Sequence, residues 1–119
     1  MDKILLADDD LDLLLILDHT LTKAGYKVRV LPGGTDVILA LRIFEPNLVI
    51  LDINLGDADG RELCHQIKSI LAFQHIPIIL YSAEAFPDLK IANCQANGFI
   101  KKPFSTTEFL QQVHELITA

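Results

Sequence analysis

Short apolar runs alternate with longer amphipathic stretches along the chain. The apolar runs have the length of strands. One of them, Leu48–Leu51 (LVIL), has no polar residue, which is typical of a central strand in a parallel sheet covered on both faces. The five predicted strands are Lys3–Ala7, Lys27–Val30, Leu48–Leu51, Ile78–Tyr81 and Phe99–Ile100.

Apolar residues at helical spacing fill the intervals between these strands. Gly25 and Pro46 should end the first two helices, and Ser105 followed by Glu108 is a capping-box pattern for the last helix. The predicted helices are Asp10–Lys23, a helix from Gly34 or Thr35 to about Phe44, Gly60–Leu71, a short helix over Asp88–Gln95, and one capped by Ser105. Strands alternating with helices predict a parallel sheet with right-handed crossovers, whose functional crevice lies at the carboxyl ends of the strands.

Composition narrows the class of protein. The chain has 119 residues, which is the size of one domain, and it is 50% hydrophobic, so we expect a single folded unit over residues 1–119. The net charge of −6 argues against a nucleic-acid-binding surface. No apolar stretch approaches the roughly 20 residues that span a bilayer, and no signal peptide is visible, so a cytoplasmic location is expected.

The cysteines and histidines point to no metal or redox chemistry. Cys64 and Cys94 are far apart in the sequence and are interpreted as reduced intracellular thiols. The four histidines show no i, i+4 pairing that would indicate a zinc site.

Polar residues cluster where four of the predicted strands end. The first strand is followed by Asp8 and Asp9, the third by Asp52, the fourth by Ser82 and the fifth by Lys101 and Lys102. Each has an ordinary explanation, because acids often cap helices, serines form turns and lysines lie on surfaces. The shared position at one end of each strand is what favours a common site.

Chemistry accounts for this combination of side chains. Crowded carboxylates repel each other, and a hard divalent cation such as Mg²⁺ holds them together through oxygen ligands. A carboxylate can then act as a nucleophile towards phosphorus, while a lysine and a hydroxyl bind the phosphoryl oxygens. The sequence therefore predicts phosphoryl transfer to an aspartate.

The segments KILLADDD, LVILDINLGDADG, IILYSAE and NGFIKKPF carry a family resemblance. Over essentially its whole length the chain resembles the receiver domain of two-component response regulators, of the chemotaxis-regulator kind. The resemblance implies a doubly wound α/β fold in which a five-stranded parallel sheet has the flavodoxin-like order 2-1-3-4-5 and helices cover both faces.

The resemblance also implies a set of metal ligands. Asp52 would be the phosphoacceptor and would bind Mg²⁺ together with Asp9 and the backbone carbonyl of Asn54. Asp8 would act on the metal mainly through bound water.

Further roles follow from the same resemblance. Ser82 would be the switch hydroxyl, and Phe99 would be the aromatic switch that turns inward when Ser82 moves. Lys102 would be the catalytic lysine, because it directly precedes a proline, whereas Lys101 is treated as its neighbour. Asn54 and Glu84 would tune the lifetime of the phosphoryl group and make it relatively short.

The implied partners are a histidine kinase or a histidine phosphotransfer protein as phosphodonor and an unidentified downstream protein. No nucleic acid, membrane or stable dimer is expected, so the domain would be a monomer or a weak homodimer. It would not be a conventional enzyme, since it would catalyse only its own phosphorylation and dephosphorylation.

The chain departs from the family pattern in its loops. Gly56 stands where many receivers have proline, which predicts a more flexible loop, and the stretch from Ser82 to Lys102 is about two residues shorter than usual. The alternatives are a receiver that works without phosphorylation, or a small phosphatase of the haloacid dehalogenase type, which would need a second aspartate at position 54. A flavin-binding protein would rest on fold analogy alone.

Overall fold

A computed structural model describes residues 1–83, 94–102 and 104–119 of the chain. Its strands are β1 (Lys3–Ala7), β2 (Lys27–Leu31), β3 (Leu48–Asp52), β4 (Ile78–Ser82) and β5 (Gly98–Lys101). Its helices, within the described ranges, are α1 (Leu11–Lys23), α2 (Val37–Phe44), α3 (Gly60–Lys68) and α4 (Thr106–Thr118).

All strand pairs are parallel, and the sheet order is β2-β1-β3-β4-β5. The predicted fold class and strand order are thereby confirmed. Each strand of a pleated sheet sends alternate side chains to opposite faces, so the sheet has a core on each side. One core lies under α2 and α3 and contains Leu5, Val49 and Leu80, whereas the other lies under α1 and α4 and contains Leu6 and Ile50.

Capping side chains fix where three of the helices begin. The side chains of Asp10, Asp59 and Ser105 accept hydrogen bonds from backbone N–H groups in the first turns of α1, α3 and α4. The predicted cap at Ser105, which accepts from the N–H of Glu108 at 3.0 Å, is confirmed.

Two helix boundaries differ from the sequence prediction by two residues or more. The helix α2 begins at Val37 after Asp36, not after Gly34 or Thr35, because Thr35 instead bonds a loop carboxylate described below. The helix α3 ends at Lys68 and not at Leu71, whose side chain is 81% exposed and so gains nothing from a further helical turn.

The predicted helix over Asp88–Gln95 falls largely on residues 84–93, which lie outside the described residues. Its last two positions, Cys94 and Gln95, form a turn in which Gln95 has a φ of 67°. No helix within the described ranges is long and apolar enough to cross a membrane.

Candidate phosphoacceptor site

Sheet register brings the candidate acids together. Asp52 lies opposite Tyr81 in the pairing of β3 with β4, and Leu51 lies opposite Ala7 in the pairing of β3 with β1. Asp8 directly follows Ala7, so it reaches the same end of the sheet as Asp52. The alternation of side chains places Asp52 and Tyr81 on the face that α1 and α4 cover.

A single lysine bridges two of these carboxylates. The Nζ of Lys102 is 3.2 Å from Asp8 Oδ2 and 3.3 Å from Asp52 Oδ2. Asp8 has no exposed surface and Asp52 is 6% exposed, so both ion pairs are screened little by water. Lys101, by contrast, is exposed.

Asp8 is held by further donors besides Lys102. Its Oδ2 accepts a hydrogen bond of 2.6 Å from the hydroxyl of Tyr81, and its Oδ1 accepts one of 2.9 Å from the backbone N–H of Asp10. Burial on its own would raise the pKa of Asp8, but the hydroxyl, the amide and the Lys102 charge together lower it below 3.8. Asp8 is therefore a stable, charged neighbour of Asp52.

The environment of Asp52 raises its pKa, whereas the environment of Asp8 lowers the pKa of that residue. Burial and the negative charge of Asp8 raise its pKa from 3.8 to about 6, and the lysine offsets only part of this. The backbone N–H of Asn54 donates to Asp52 Oδ1 over 3.4 Å, which is a weak contact. Near neutral pH, Asp52 is thus an ionised carboxylate of raised basicity.

The donor set fits a hard divalent cation. One carboxylate oxygen from each of Asp8, Asp9 and Asp52 lies within 4.8 Å of the other two. Asp9 and Asn54 are exposed, so a cation at this cluster could keep part of its water shell, as Mg²⁺ does.

The loop after β3 approaches the cluster through two glycines. Gly56 has a φ of 78°, and a Cβ placed on it would lie 3.4 Å from Asp9 Oδ2. A Cβ on Gly60 would lie 2.2 Å from the backbone oxygen of Asp52, which no real side chain could do. The first turn of α3 therefore packs directly against the backbone that carries Asp52. The prediction that Gly56 loosens this loop stays a prediction.

A second carboxylate ties the same loop to the β2–α2 connection. Asp57 accepts hydrogen bonds from the N–H groups of Gly34 at 2.8 Å and Thr35 at 3.2 Å, and from the Thr35 hydroxyl. The Thr35 hydroxyl and the Gly34 amide lower the pKa of Asp57.

The remaining candidate residues lie near the cluster. Ser82 is buried at the end of β4, and its backbone oxygen accepts from the N–H of Lys102 at 2.7 Å. Phe99 is partly buried and packs against the core under α2 and α3. It lies opposite Leu80, so Phe99 and Ser82 share one face of the sheet. Glu84 lies outside the described residues.

Two residues that the structure connects to this region, Tyr81 and Asp57, have no role in the sequence prediction. Tyr81 was interpreted only as part of an apolar strand, although the period-2 pattern already places it on the face of Ile79. Asp57 was interpreted only as part of a polar loop, and no local pattern pairs it with residues 34 and 35.

The fold and the acidic cluster define a class of protein, namely doubly wound α/β domains with several carboxylates at the carboxyl ends of the strands. The family model described as "Response regulator receiver domain" matches residues 4–114. The chain therefore belongs to the response regulator receiver domains, which two-component systems phosphorylate and which are signalling domains and not conventional enzymes.

Individual proteins agree with this assignment. The chain is 35% identical over 116 residues to the transcriptional regulatory protein GltR of Pseudomonas aeruginosa. The aligned residues cover 96% of this chain and 48% of that protein. The chain thus spans about half the length of that curated relative.

Solved structures show the same fold. The signal receiver domain of a signal transduction histidine kinase from Syntrophus aciditrophicus has a TM-score of 0.93 at 27% identity, covering 99% of this chain and 91% of that one. The response regulator protein TrrA of Thermotoga maritima, solved in complex with Mg²⁺-BeF, has a TM-score of 0.87 at 25% identity. This match covers 98% of this chain and 99% of that one.

Proposed function

We propose that residues 1–119 form one receiver domain that accepts a phosphoryl group on Asp52 from the phosphohistidine of a histidine kinase or a histidine phosphotransfer protein. The observation that carries the proposal is the bridge from Lys102 to both Asp8 and Asp52, beside the third carboxylate of Asp9. A buried carboxylate of raised basicity next to a cation is suited to attack a phosphorus atom.

In the proposed reaction an oxygen of Asp52 attacks the phosphorus of phosphohistidine. The new O–P bond forms as the P–N bond breaks, and the electron pair of that bond leaves with the imidazole of the donor. Lys102 and the Ser82 hydroxyl bind oxygens of the transferred group. Water later hydrolyses the acyl phosphate, and Asn54 and Glu84 tune the rate of that step.

Magnesium fits the site through its donor set of carboxylate oxygens. Asp9, Asp52 and the backbone carbonyl of Asn54 would hold it directly, and Asp8 would contact it mainly through water. When bound, the ion supplies positive charge that offsets the charge developing on the phosphoryl oxygens.

The proposed output is a change at the surface around β5 and α4. Ser82 moves towards the phosphoryl group, and Phe99 turns into the space it leaves. Their position on one face of the sheet supports such coupled movement. New charge-assisted contacts at the phosphoryl group shift the population towards the state that a downstream protein binds or releases.

The proposed docking surface for the phosphodonor is the outer face of α1. Leu11, Leu15 and Ile16 are each at least 60% exposed there, and Ile16 lines a groove of about 350 Å³ that Lys102 also lines. An exposed apolar patch beside a groove that is lined by Lys102, the lysine bound to Asp8 and Asp52, suits a helical phosphodonor protein. We place this exchange in the cytoplasm, with the domain as a monomer or weak homodimer that contacts neither nucleic acid nor membrane.

Labelling with a small phosphodonor tests the acceptor. Acetyl phosphate with Mg²⁺ should add one phosphoryl group to the wild-type chain, detected by intact mass, and Asp52→Asn should abolish the addition. Asp57→Asn is the matched control, since Asp57 lies in the loop directly after Asp52 and this variant should still be labelled. Undiminished labelling of Asp52→Asn would remove Asp52 from the mechanism.

The two adjacent lysines can be separated in the same assay. Lys102→Ala should slow labelling and uncouple the switch, because it removes the cation bound to Asp8 and Asp52. Lys101→Ala should do far less, since Lys101 is exposed. The reverse result would exchange their roles.

A substitution on the outer face of α1 distinguishes a protein phosphodonor, which must dock there, from acetyl phosphate, which need not. Leu15→Glu should slow phosphotransfer from a kinase or phosphotransfer protein that labels the wild type, yet leave labelling by acetyl phosphate unchanged. Leu39→Glu is the control, because Leu39 is 57% exposed but lies on α2, across the sheet from α1. Equal effects of both variants would argue against α1 as the docking face.

A further inference from the structure

Tyr81 is buried directly beside the proposed acceptor. Its side chain has no exposed surface, and its ring makes an edge contact with Phe104 at 6.2 Å between centroids. The Nζ of Lys102 lies 4.4 Å from the centroid of the Tyr81 ring. Packing therefore fixes the ring and aims its hydroxyl at Asp8.

The hydroxyl of Tyr81 and the ammonium of Lys102 share one oxygen atom. Asp8 Oδ2 accepts from Tyr81 at 2.6 Å and from Lys102 at 3.2 Å. A contact of 2.6 Å is typical of a strong O–H to carboxylate hydrogen bond. Two donors that share one acceptor oxygen draw on the same electron density. Each therefore weakens the hydrogen bond that the other makes to that oxygen.

Asp8 cannot replace a lost donor with bulk water, because it has no exposed surface. A buried charge without partners is costly, so Asp8 holds any donor within reach. Without the Tyr81 hydroxyl, Lys102 would be the one donor to Asp8 Oδ2 among the described residues.

We propose that Tyr81 is a positioning residue whose hydroxyl satisfies Asp8 and so releases Lys102 to a phosphoryl group on Asp52. This inference rests on the proposed function, in which Lys102 binds the phosphoryl oxygens. Tyr81 touches neither the phosphoryl group nor its donor and acts only through Asp8 and Lys102.

The test uses Tyr81→Phe, which removes the hydroxyl and keeps the ring beneath Lys102. Beryllofluoride, a mimic of the phosphoryl group, is titrated by calorimetry at saturating Mg²⁺, and Mg²⁺ is titrated alone. Tyr81→Phe should bind beryllofluoride about tenfold more weakly, because Asp8 now retains Lys102. The dissociation constant for Mg²⁺ alone should not rise by more than about twofold, since Asp8 remains charged and in place.

Two controls separate this role from a general loss of structure. Tyr26→Phe removes the other tyrosine of the chain and should change neither constant. In a Lys102→Ala background, Tyr81→Phe should have no further effect on beryllofluoride binding, because the residue through which it acts is gone. Equal weakening of Mg²⁺ and beryllofluoride binding, or no weakening of either, would overturn the inference.

A spectroscopic measurement does not depend on Tyr81→Phe being well folded. The chain has two tyrosines and no tryptophan, so in Tyr26→Phe the near-ultraviolet absorption reports Tyr81 alone. When beryllofluoride draws Lys102 away, the Tyr81 hydrogen bond to Asp8 should strengthen and move this absorption to longer wavelength. A shift to shorter wavelength, or none, would overturn the inference. Failure of the wild type to bind beryllofluoride would instead sink the proposed function.

Discussion

Two neighbouring carboxylates, Asp52 at the end of β3 and Asp57 in the loop that follows it, have opposite environments. Asp52 is 6% exposed, lies near the charge of Asp8, and has its pKa raised to about 6. Asp57 is exposed and accepts hydrogen bonds from Gly34 and Thr35, which lower its pKa. Only five positions separate these two residues in the sequence.

This contrast shows how the surroundings of a carboxylate determine its reactivity. A carboxylate whose oxygens accept hydrogen bonds from backbone N–H groups has a structural role, because these bonds stabilise its charge and lower its basicity. A carboxylate that is buried beside another negative charge has a raised pKa. Binding of a cation or bonding to a phosphoryl group reduces the repulsion between the two charges. Asp57 is of the first kind and Asp52 of the second.

The largest expected effect comes from the glycines behind these two carboxylates. Gly60→Ala should lower the free energy of unfolding by about 2–4 kcal/mol, because its Cβ would lie 2.2 Å from the backbone oxygen of Asp52. Gly33→Ala is the matched control, since the atoms nearest to its Cβ would be the side-chain oxygens of Asp57 at 3.0 Å and not backbone atoms. Urea unfolding measures both, and a larger loss in Gly33→Ala would contradict the comparison.

Magnesium should stabilise the wild type through Asp52. At a concentration 100 times the dissociation constant, a ligand that binds only the folded state adds about 2.7 kcal/mol to the free energy of unfolding. Asp52→Asn should lose most of this gain, whereas Asp57→Asn should keep it. Thermal unfolding with Mg²⁺ or with chelator measures the difference, and an equal loss in both variants would show that the loop as a whole, and not Asp52, senses the metal.

Much of this site could be predicted from sequence, because strand ends in a parallel sheet meet at one edge. That rule predicts Asp8 and Asp52, whereas the choice of Lys102 over Lys101 and the strand order follow from the family resemblance. The Tyr81 hydroxyl and the Asp57 anchor could not be found in this way. Their partners lie 73 and 23 positions away, respectively, and only the register and the path of the loops bring them into contact.

Removing the charge of Asp52 should stabilise the metal-free fold at neutral pH. Its folded pKa of about 6 is above the ordinary 3.8, so the folded state holds its proton more tightly than the unfolded state. The contribution of Asp52 to stability is therefore largest below pH 4, falls as the pH rises from about 4 to about 6, and stays low above that. Asp52→Asn should remove this decline and gain of the order of 2 kcal/mol at pH 7.

Urea unfolding in chelator across pH 4 to 8 measures that decline. Asp57→Asn serves as the control and should keep the wild-type slope in this range, because its pKa lies below it. A wild-type stability that rises between pH 4 and 6 would show that Asp52 is not repelled in the folded state.

The smallest expected effect is the loss of the Asp57 anchor. Asp57→Ala should lower the melting temperature slightly, because the exposed carboxylate is well solvated in the unfolded chain. Its folded pKa is below 3.8, so the stability it contributes is present above pH 4 and is lost as the pH falls through that lowered pKa. The difference from wild type should thus be constant from pH 5 to 8 and shrink on strong acidification, which thermal scans at several pH values measure. Thr35→Val removes only the hydroxyl donor and should reproduce part of the shift, with no added effect in the Asp57→Ala background. A stabilised Asp57→Ala would show that Asp57, like Asp52, is destabilising when charged, and the contrast between the two carboxylates would be wrong.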